Sequence, residues 1–185
     1  MILDLEMRRR IYECIEQNPG VHFREIQRRT GIAIGSLDYH LHYLHRHGMI
    51  RVEKDRKYVR YFPLTKTWTD EEREILSLLR QEKIRRILVY MLQKKNANPQ
   101  DISATLGIQS STLSWYLKNL SAKGIIRYVK RGRHRFYAVS NPESIMQYLI
   151  AHKKSFFDEM VDRFIETWSS DFFSEEKQTK NNKSK

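Results

Sequence analysis

Cysteine is almost missing from this chain: Cys14 is the single one in 185 residues. One thiol excludes an intrachain disulfide and a thiolate metal cluster. Its place in an apolar helical pattern predicts a small buried side chain rather than a redox sensor. Long hydrophobic runs are missing too, since no stretch approaches the roughly 20 apolar residues needed to span a bilayer. Met1-Ile2-Leu3-Asp4-Leu5-Glu6 lacks the charged and apolar regions of a signal peptide. These absences predict a cytoplasmic protein with no membrane partner. Catalytic signatures are equally scarce, with no Gly-rich phosphate loop, no carboxylate pair in an apolar setting and no nucleophile elbow. Neither enzymatic activity nor a cofactor is expected. Acidic charge is in short supply as well: Asp+Glu 22 against Lys+Arg 34 leaves a net +12. Such a surplus on a compact body repels itself unless a polyanion offsets it. Ribosomal proteins, RNA binders and membrane-surface proteins share that property, so the placement of the charges has to decide.

What the chain does contain is a repeat of itself. Shifted by 76 positions, residues 8–54 align without a gap to residues 84–130. Identical pairs include Arg9/Arg85, Ile11/Ile87, Ile26/Ile102, Gly31/Gly107, Leu37/Leu113, Leu41/Leu117, Leu44/Leu120, Gly48/Gly124 and Ile50/Ile126. Most are apolar residues or glycines, the types that define a core and its turns. Each copy reads as a first helix (4–17, 83–95), a shorter second helix (22–30, 99–106) and a turn at Gly31 or Gly107. Asn98 is placed to cap the second copy's short helix, with Pro99 at its first position. A third helix starts near Gly35-Ser36 or Ser110-Ser111, carries three leucines on one stripe and stops at Gly48 or Gly124. Two short strands then flank a basic turn, Ile50-Arg51-Val52 with Val59–Phe62, and Ile126–Val129 with Arg135–Val139. Three helices and a hairpin make a winged helix.

The fold class is therefore mainly α with small β-hairpin wings: two tandem winged helix-turn-helix domains plus a long C-terminal helix. The expected boundaries are an N-terminal domain over 1–66, a helical linker over 67–82 and a second domain over 83–141. An amphipathic C-terminal helix over 142–173, for packing or dimerisation, and a disordered tail over 174–185 follow. Thr69-Asp70-Glu71-Glu72 reads as a capping box opening a long helix that runs to Lys95.

In a helix-turn-helix the third helix enters the major groove with the face opposite its core stripe. With the leucines inward, 100° per residue turns Gly35, Asp38, Tyr39, His42 and Arg46 outward, with Ser36 and Tyr43 on the flank. The second copy offers Ser111, Ser114, Trp115, Lys118 and Ala122, flanked by Thr112 and Asn119, with Ser110 at the helix start. Hydroxyls near the start suit phosphate or base contacts, and Arg, Lys, Asn and His can read base edges. A solvated face seldom carries aromatics such as Tyr39, Tyr43 and Trp115. The second wing, Lys130-Arg131-Gly132-Arg133-His134-Arg135, has no acid nearby and suits phosphates or the minor groove. In the first wing, Lys54, Arg56 and Lys57 are diluted by Glu53 and Asp55. The histidines His40, His42, His45 and His47 spread over more than one face and lack a completing cysteine or carboxylate, so no metal site is expected.

Gly35-Ser36-Leu37-Asp38-Tyr39-His40-Leu41-His42-Tyr43-Leu44, followed by Gly48-Met49-Ile50, resembles the recognition helix of ArsR/MarR-type winged-helix regulators. The likeness is greatest to archaeal tandem winged-helix regulators, and the second copy matches with Trp115-Tyr116 in place of Tyr39-His40. The resemblance covers residues 4–140. It implies a transcriptional regulator of double-stranded DNA, often dimeric; pairing through the C-terminal helix is an added expectation. Metal-sensing members carry a cysteine pair near the third helix, which is absent here. A protein-interaction scaffold and an RNA-binding protein remain the alternatives.

Overall fold

The computed structural model describes residues 2–55, 58–156 and 158–167. The chain divides into two units, Met1–Gln81 and Glu82–Lys185. The first holds α1 (Ile2–Gln17), β1 (Val21–His22), α2 (Phe23–Thr30), α3 (Ile34–Arg46), β2 (Ile50–Asp55), β3 (Tyr58–Pro63) and α4 (Asp70–Leu79). The second holds α5 (Glu82–Lys94), α6 (Pro99–Leu106), α7 (Ser110–Ala122), β4 (Ile126–Arg131), β5 (His134–Val139), α8 (Pro142–Ala151) and α9 (Lys153–Phe156). A further helical stretch covers 159–167.

The internal repeat governs this architecture more fully than the sequence alignment suggests. Shifted by 76 positions, α2, α3, β2 and β3 coincide end for end with α6, α7, β4 and β5. The first core gathers Ile11, Ile15, Val21, Ile26, Ile32, Leu37, Leu41, Leu44, Ile50 and Tyr61. Their counterparts Ile87, Met91, Ala97, Ile102, Ile108, Leu113, Leu117, Leu120, Ile126 and Tyr137 are buried too. Gly31 and Gly107 end the short helices in the left-handed conformation, at φ 68° and 63°, where a Cβ would be strained. This turn aims α3 and α7 away from the helices before them.

Each hairpin gains a third partner that the sequence reading lacks. In the first sheet β1 pairs antiparallel with β3, giving the order β1-β3-β2 and setting Val21 opposite Tyr61. In the second unit Ala97 and Tyr137, the same two positions, exchange both backbone hydrogen bonds at 2.9 and 2.8 Å. Two residues are too few to show a period of two.

Two long helices are shorter than expected. The capping box at Thr69 forms: Thr69 Oγ1 accepts from the Glu72 amide at 3.1 Å, and Glu72 accepts from the Thr69 amide at 2.8 Å. Instead of running to Lys95, however, α4 stops at Leu79 and α5 starts at Glu82. At the break Arg80 Nε donates to the Pro19 carbonyl at 3.1 Å and its guanidinium lies 3.8 Å from Glu25, which ties the end of α4 to the first unit. With Ile75, Leu76, Leu78 and Leu79 buried, α4 packs as part of the first unit rather than as a linker over 67–82. The helix expected over 142–173 is also interrupted, at His152 and again at Asp158. Asp158 restarts it: Oδ1 accepts from the Met160 amide at 3.1 Å while Oδ2 accepts from Arg85 Nε at 2.7 Å. This buried ion pair fastens the restart to α5. Residues 168–185, which include the expected tail, lie outside the described residues.

Candidate nucleic-acid interface

The third helix of each unit sorts its side chains by 100° steps. In α3 the stripe Leu37, Leu41 and Leu44 is buried, and His40 with it. Asp38, Tyr39, His42 and Arg46 are exposed on the far side, Tyr39 with 61% of its surface free. The flank is less available than expected. Ser36 Oγ donates to Met7 Sδ at 3.5 Å, and Tyr43 is held between the Arg8 guanidinium, 3.7 Å from its ring centre, and the stacked ring of His47 at 3.9 Å. Both are half-buried. His42 Nε2 lies 3.9 Å from Asp38 Oδ1, one turn along the same exposed face.

In α7, Leu113, Leu117 and Leu120 are buried, and Ser110, Ser111, Ser114, Trp115 and Lys118 are exposed. Trp115 leaves 52% of its surface free. Thr112 and Asn119 are half-buried, and Asn119 Nδ2 donates to the Trp115 carbonyl at 2.9 Å, which fixes the amide along the helix.

The wings differ in their charge. Lys130, Arg131, Arg133 and Arg135 are all exposed around Gly132 at the tip of the β4–β5 hairpin. The register sets Lys130 opposite Arg135, which places like charges across the ladder, and Arg131 opposite His134. Arg135 lies over the Tyr128 ring at 5.0 Å and Arg131 over Phe136 at 5.7 Å. In the first wing Lys54 is exposed, and Glu53 forms ion pairs with Arg73 of α4 and with Arg51. Arg56 and Lys57 lie outside the described residues.

The remaining titratable groups are structural. Burial, and then the nearby Arg8, push the pKa of His40 below its ordinary value, while Arg8 Nε donates to its Nδ1 at 3.4 Å. His45 Nδ1 lies 3.2 Å from the Ile50 carbonyl and His47 Nδ1 2.9 Å from that of Tyr43. Among the described residues no three His, Cys, Asp or Glu converge as metal ligands. Burial raises the pKa of the Cys14 thiol, which suits an inert core residue. Nor is any described helix long and apolar enough to cross a membrane.

Sequence reasoning passed over several exposed apolar residues beside these faces: Ile34 at the start of α3, and Tyr128 and Val129 on the second wing. By spacing Ile34 extends the leucine stripe by one turn, at the edge nearest the outward face, and so reads as core. The repeat itself carries the signal, since the matching position holds Ser110.

Comparison with known proteins agrees with this geometry. A family model described as an N-terminal HTH domain matches residues 5–76, and one described as winged helix-turn-helix DNA-binding matches residues 80–127. An uncharacterized HTH-type transcriptional regulator of Methanocaldococcus jannaschii is 29% identical over 143 residues, or 77% of this chain. The match spans only 35% of that relative's length. Among solved structures, NolR from Sinorhizobium fredii is 24% identical over 48% of this chain and 94% of its own, with a TM-score of 0.40. The antimony-specific transcriptional repressor AntR is 18% identical over 49% of this chain and 87% of its own, also at 0.40. The endosomal complex ESCRT-II is 15% identical over 77% of this chain and 63% of the matched one, at 0.33. At such scores these likenesses carry no argument about function. The two family matches and the doubled helix-turn-helix geometry give the chain two tandem helix-turn-helix domains of winged-helix fold.

Proposed function

We propose that this winged helix-turn-helix protein is a sequence-specific double-stranded DNA-binding transcriptional regulator, reading DNA through α3, α7 and its basic wings and performing no covalent chemistry. The observation that carries the reading is the second unit's outer surface. There an exposed tryptophan, lysine and three serines on one helix belong to the same small unit as a hairpin tip with four exposed cations and no acid. Cations at such a tip neutralise phosphates, and polar side chains on the third helix discriminate base edges. The family matches support the same reading. The protein acts in the cytoplasm, where its target lies, and works as a homodimer. Phe156, Val161, Phe164 and Ile165 are already buried within the chain. A dimer contact through the C-terminal segment therefore draws on its other residues.

The test is binding of the full chain to random-sequence duplex DNA over a salt series, with matched RNA as control. Duplex DNA should be preferred, with log affinity falling linearly against log salt at about −0.9 per neutralised phosphate. A major-groove helix cannot enter A-form RNA, so preference for RNA would overturn the reading. Absence of binding at low salt would do the same and favour a scaffold.

A further inference from the structure

Resting on the reading of α3 as a recognition helix, we infer that Ile34 is a specificity-determining residue that reads the methyl group of a thymine. The two units then read chemically different half-sites. The N-terminal residues of a recognition helix are the ones that meet base edges. In α3 these are Ala33, Ile34 and Gly35, all exposed, with 61% of Ile34 free. None of the three side chains can donate or accept a hydrogen bond. The first hydroxyl of the helix, on Ser36, is half-buried and directed at Met7. The opening turn of α3 therefore has only apolar contact with which to tell one base pair from another.

At the matching positions α7 carries Gln109, Ser110 and Ser111, all exposed and all able to donate and accept. One copy opens with hydrogen-bonding side chains and the other with a branched hydrocarbon on the same backbone. A β-branched residue gains nothing in helix propensity at an exposed position, and this one is not needed for the core that Leu37, Leu41 and Leu44 fill. In the major groove the apolar group that marks a base pair is the C5-methyl of thymine. Removing one methyl-sized group from water corresponds to about a fourfold change in affinity. Ile34 thus selects thymine by contact, while Ser110 tolerates or hydrogen-bonds a polar edge. The site bound by one chain is asymmetric.

The experiment starts by selecting duplexes from a random pool with the full wild-type chain and, separately, with Ile34→Ser, which copies the second unit. Because Ile34 is exposed, the variant should unfold at the wild-type temperature. The wild-type selection should contain an invariant thymine that the variant no longer enriches. Replacing that thymine by deoxyuridine, which removes only the methyl group, should weaken wild-type binding about fourfold and leave Ile34→Ser unaffected. Equal binding of the deoxyuridine duplex by the wild type, or the same thymine enriched by both proteins, would overturn the inference while leaving DNA recognition intact. Failure of either protein to select any duplex would overturn both readings.

Discussion

The two units share a backbone plan end for end and differ almost everywhere that solvent reaches. Buried positions repeat as near-synonyms: Ile11 with Ile87, Leu44 with Leu120, Tyr61 with Tyr137. Many exposed positions on the third helices and wings are rewritten. Ile34 faces Ser110 in the comparison, Asp38 faces Ser114, His42 faces Lys118, and Glu53, paired with Arg73, faces the bare Val129. The difference separates what keeps a winged helix folded from what that fold presents. The first wing pairs Glu53 with Arg51 and Arg73, whereas the second carries four exposed cations and no acid in its sequence.

The comparison breaks most sharply at Arg9 and Arg85, the same residue at matched positions. Arg85 is buried with Asp158, so Arg85→Ala should destabilise by about 3–5 kcal/mol, because the carboxylate is left buried without its cation. Arg9 forms an exposed pair with Glu13, and Arg9→Ala should cost less than about 0.5 kcal/mol. Urea unfolding of the two variants checks this, and equal costs would show that the C-terminal restart is not fastened to α5. Next in size is the contrast of wings. The double substitution of Arg131 and Arg133 to Ala should reduce the salt slope of DNA binding by about 2, and Lys54→Ala by about 1 or less. Equal slopes would remove the second wing's special role. Smaller again is a specificity change on α3. An ionised Asp38 can only accept, which suits the amino group of cytosine, so Asp38→Asn should move one selected position from cytosine towards adenine.

The smallest effect concerns pH. The cap of α2 is His22, whose Nδ1 accepts from the Glu25 amide at 3.1 Å and whose ring stacks on Tyr58. Burial pushes its pKa below the ordinary 6.5; the nearby Glu25 raises it, and Arg60 and Arg28 lower it. His40 is shifted the same way by burial and Arg8, against Asp4. The unfolded chain then binds protons that the folded one refuses. Stability is complete above pH 6.5 and declines as pH falls from there through the depressed folded values. The matched residues of the second unit are Asn98 and Tyr116, which carry no such liability. Hydrogen-exchange protection should therefore weaken on acidification around α2 and not around α6. The loss at the cap should be about 1 kcal/mol, and His22→Asn should remove that share.

The helix-turn-helix was legible in the sequence because its determinants are local. A three-leucine stripe and a glycine turn need no distant partner. Two of the breaks in the longer helices were not legible, because a residue at each meets a partner far along the chain. Arg80 finds the Pro19 carbonyl, and Asp158 finds Arg85. Of the candidate site, the outward faces of α3 and α7 follow from periodicity alone. That Tyr43 is clasped by Arg8 and His47, and that Ser36 turns to Met7, does not, since α1 meets α3 only in the fold.

The like-charged rung of the second wing has a dynamic consequence. Lys130 opposite Arg135, at the end of a two-stranded ribbon, pushes the strands apart where the ladder is weakest. Counterions relieve that push, so the outer rungs fray in dilute buffer and tighten as ions accumulate. An anionic surface would order the same rungs at once. The hairpin is thus closed against its own charge, and any ion that gathers at the tip makes that closure less costly.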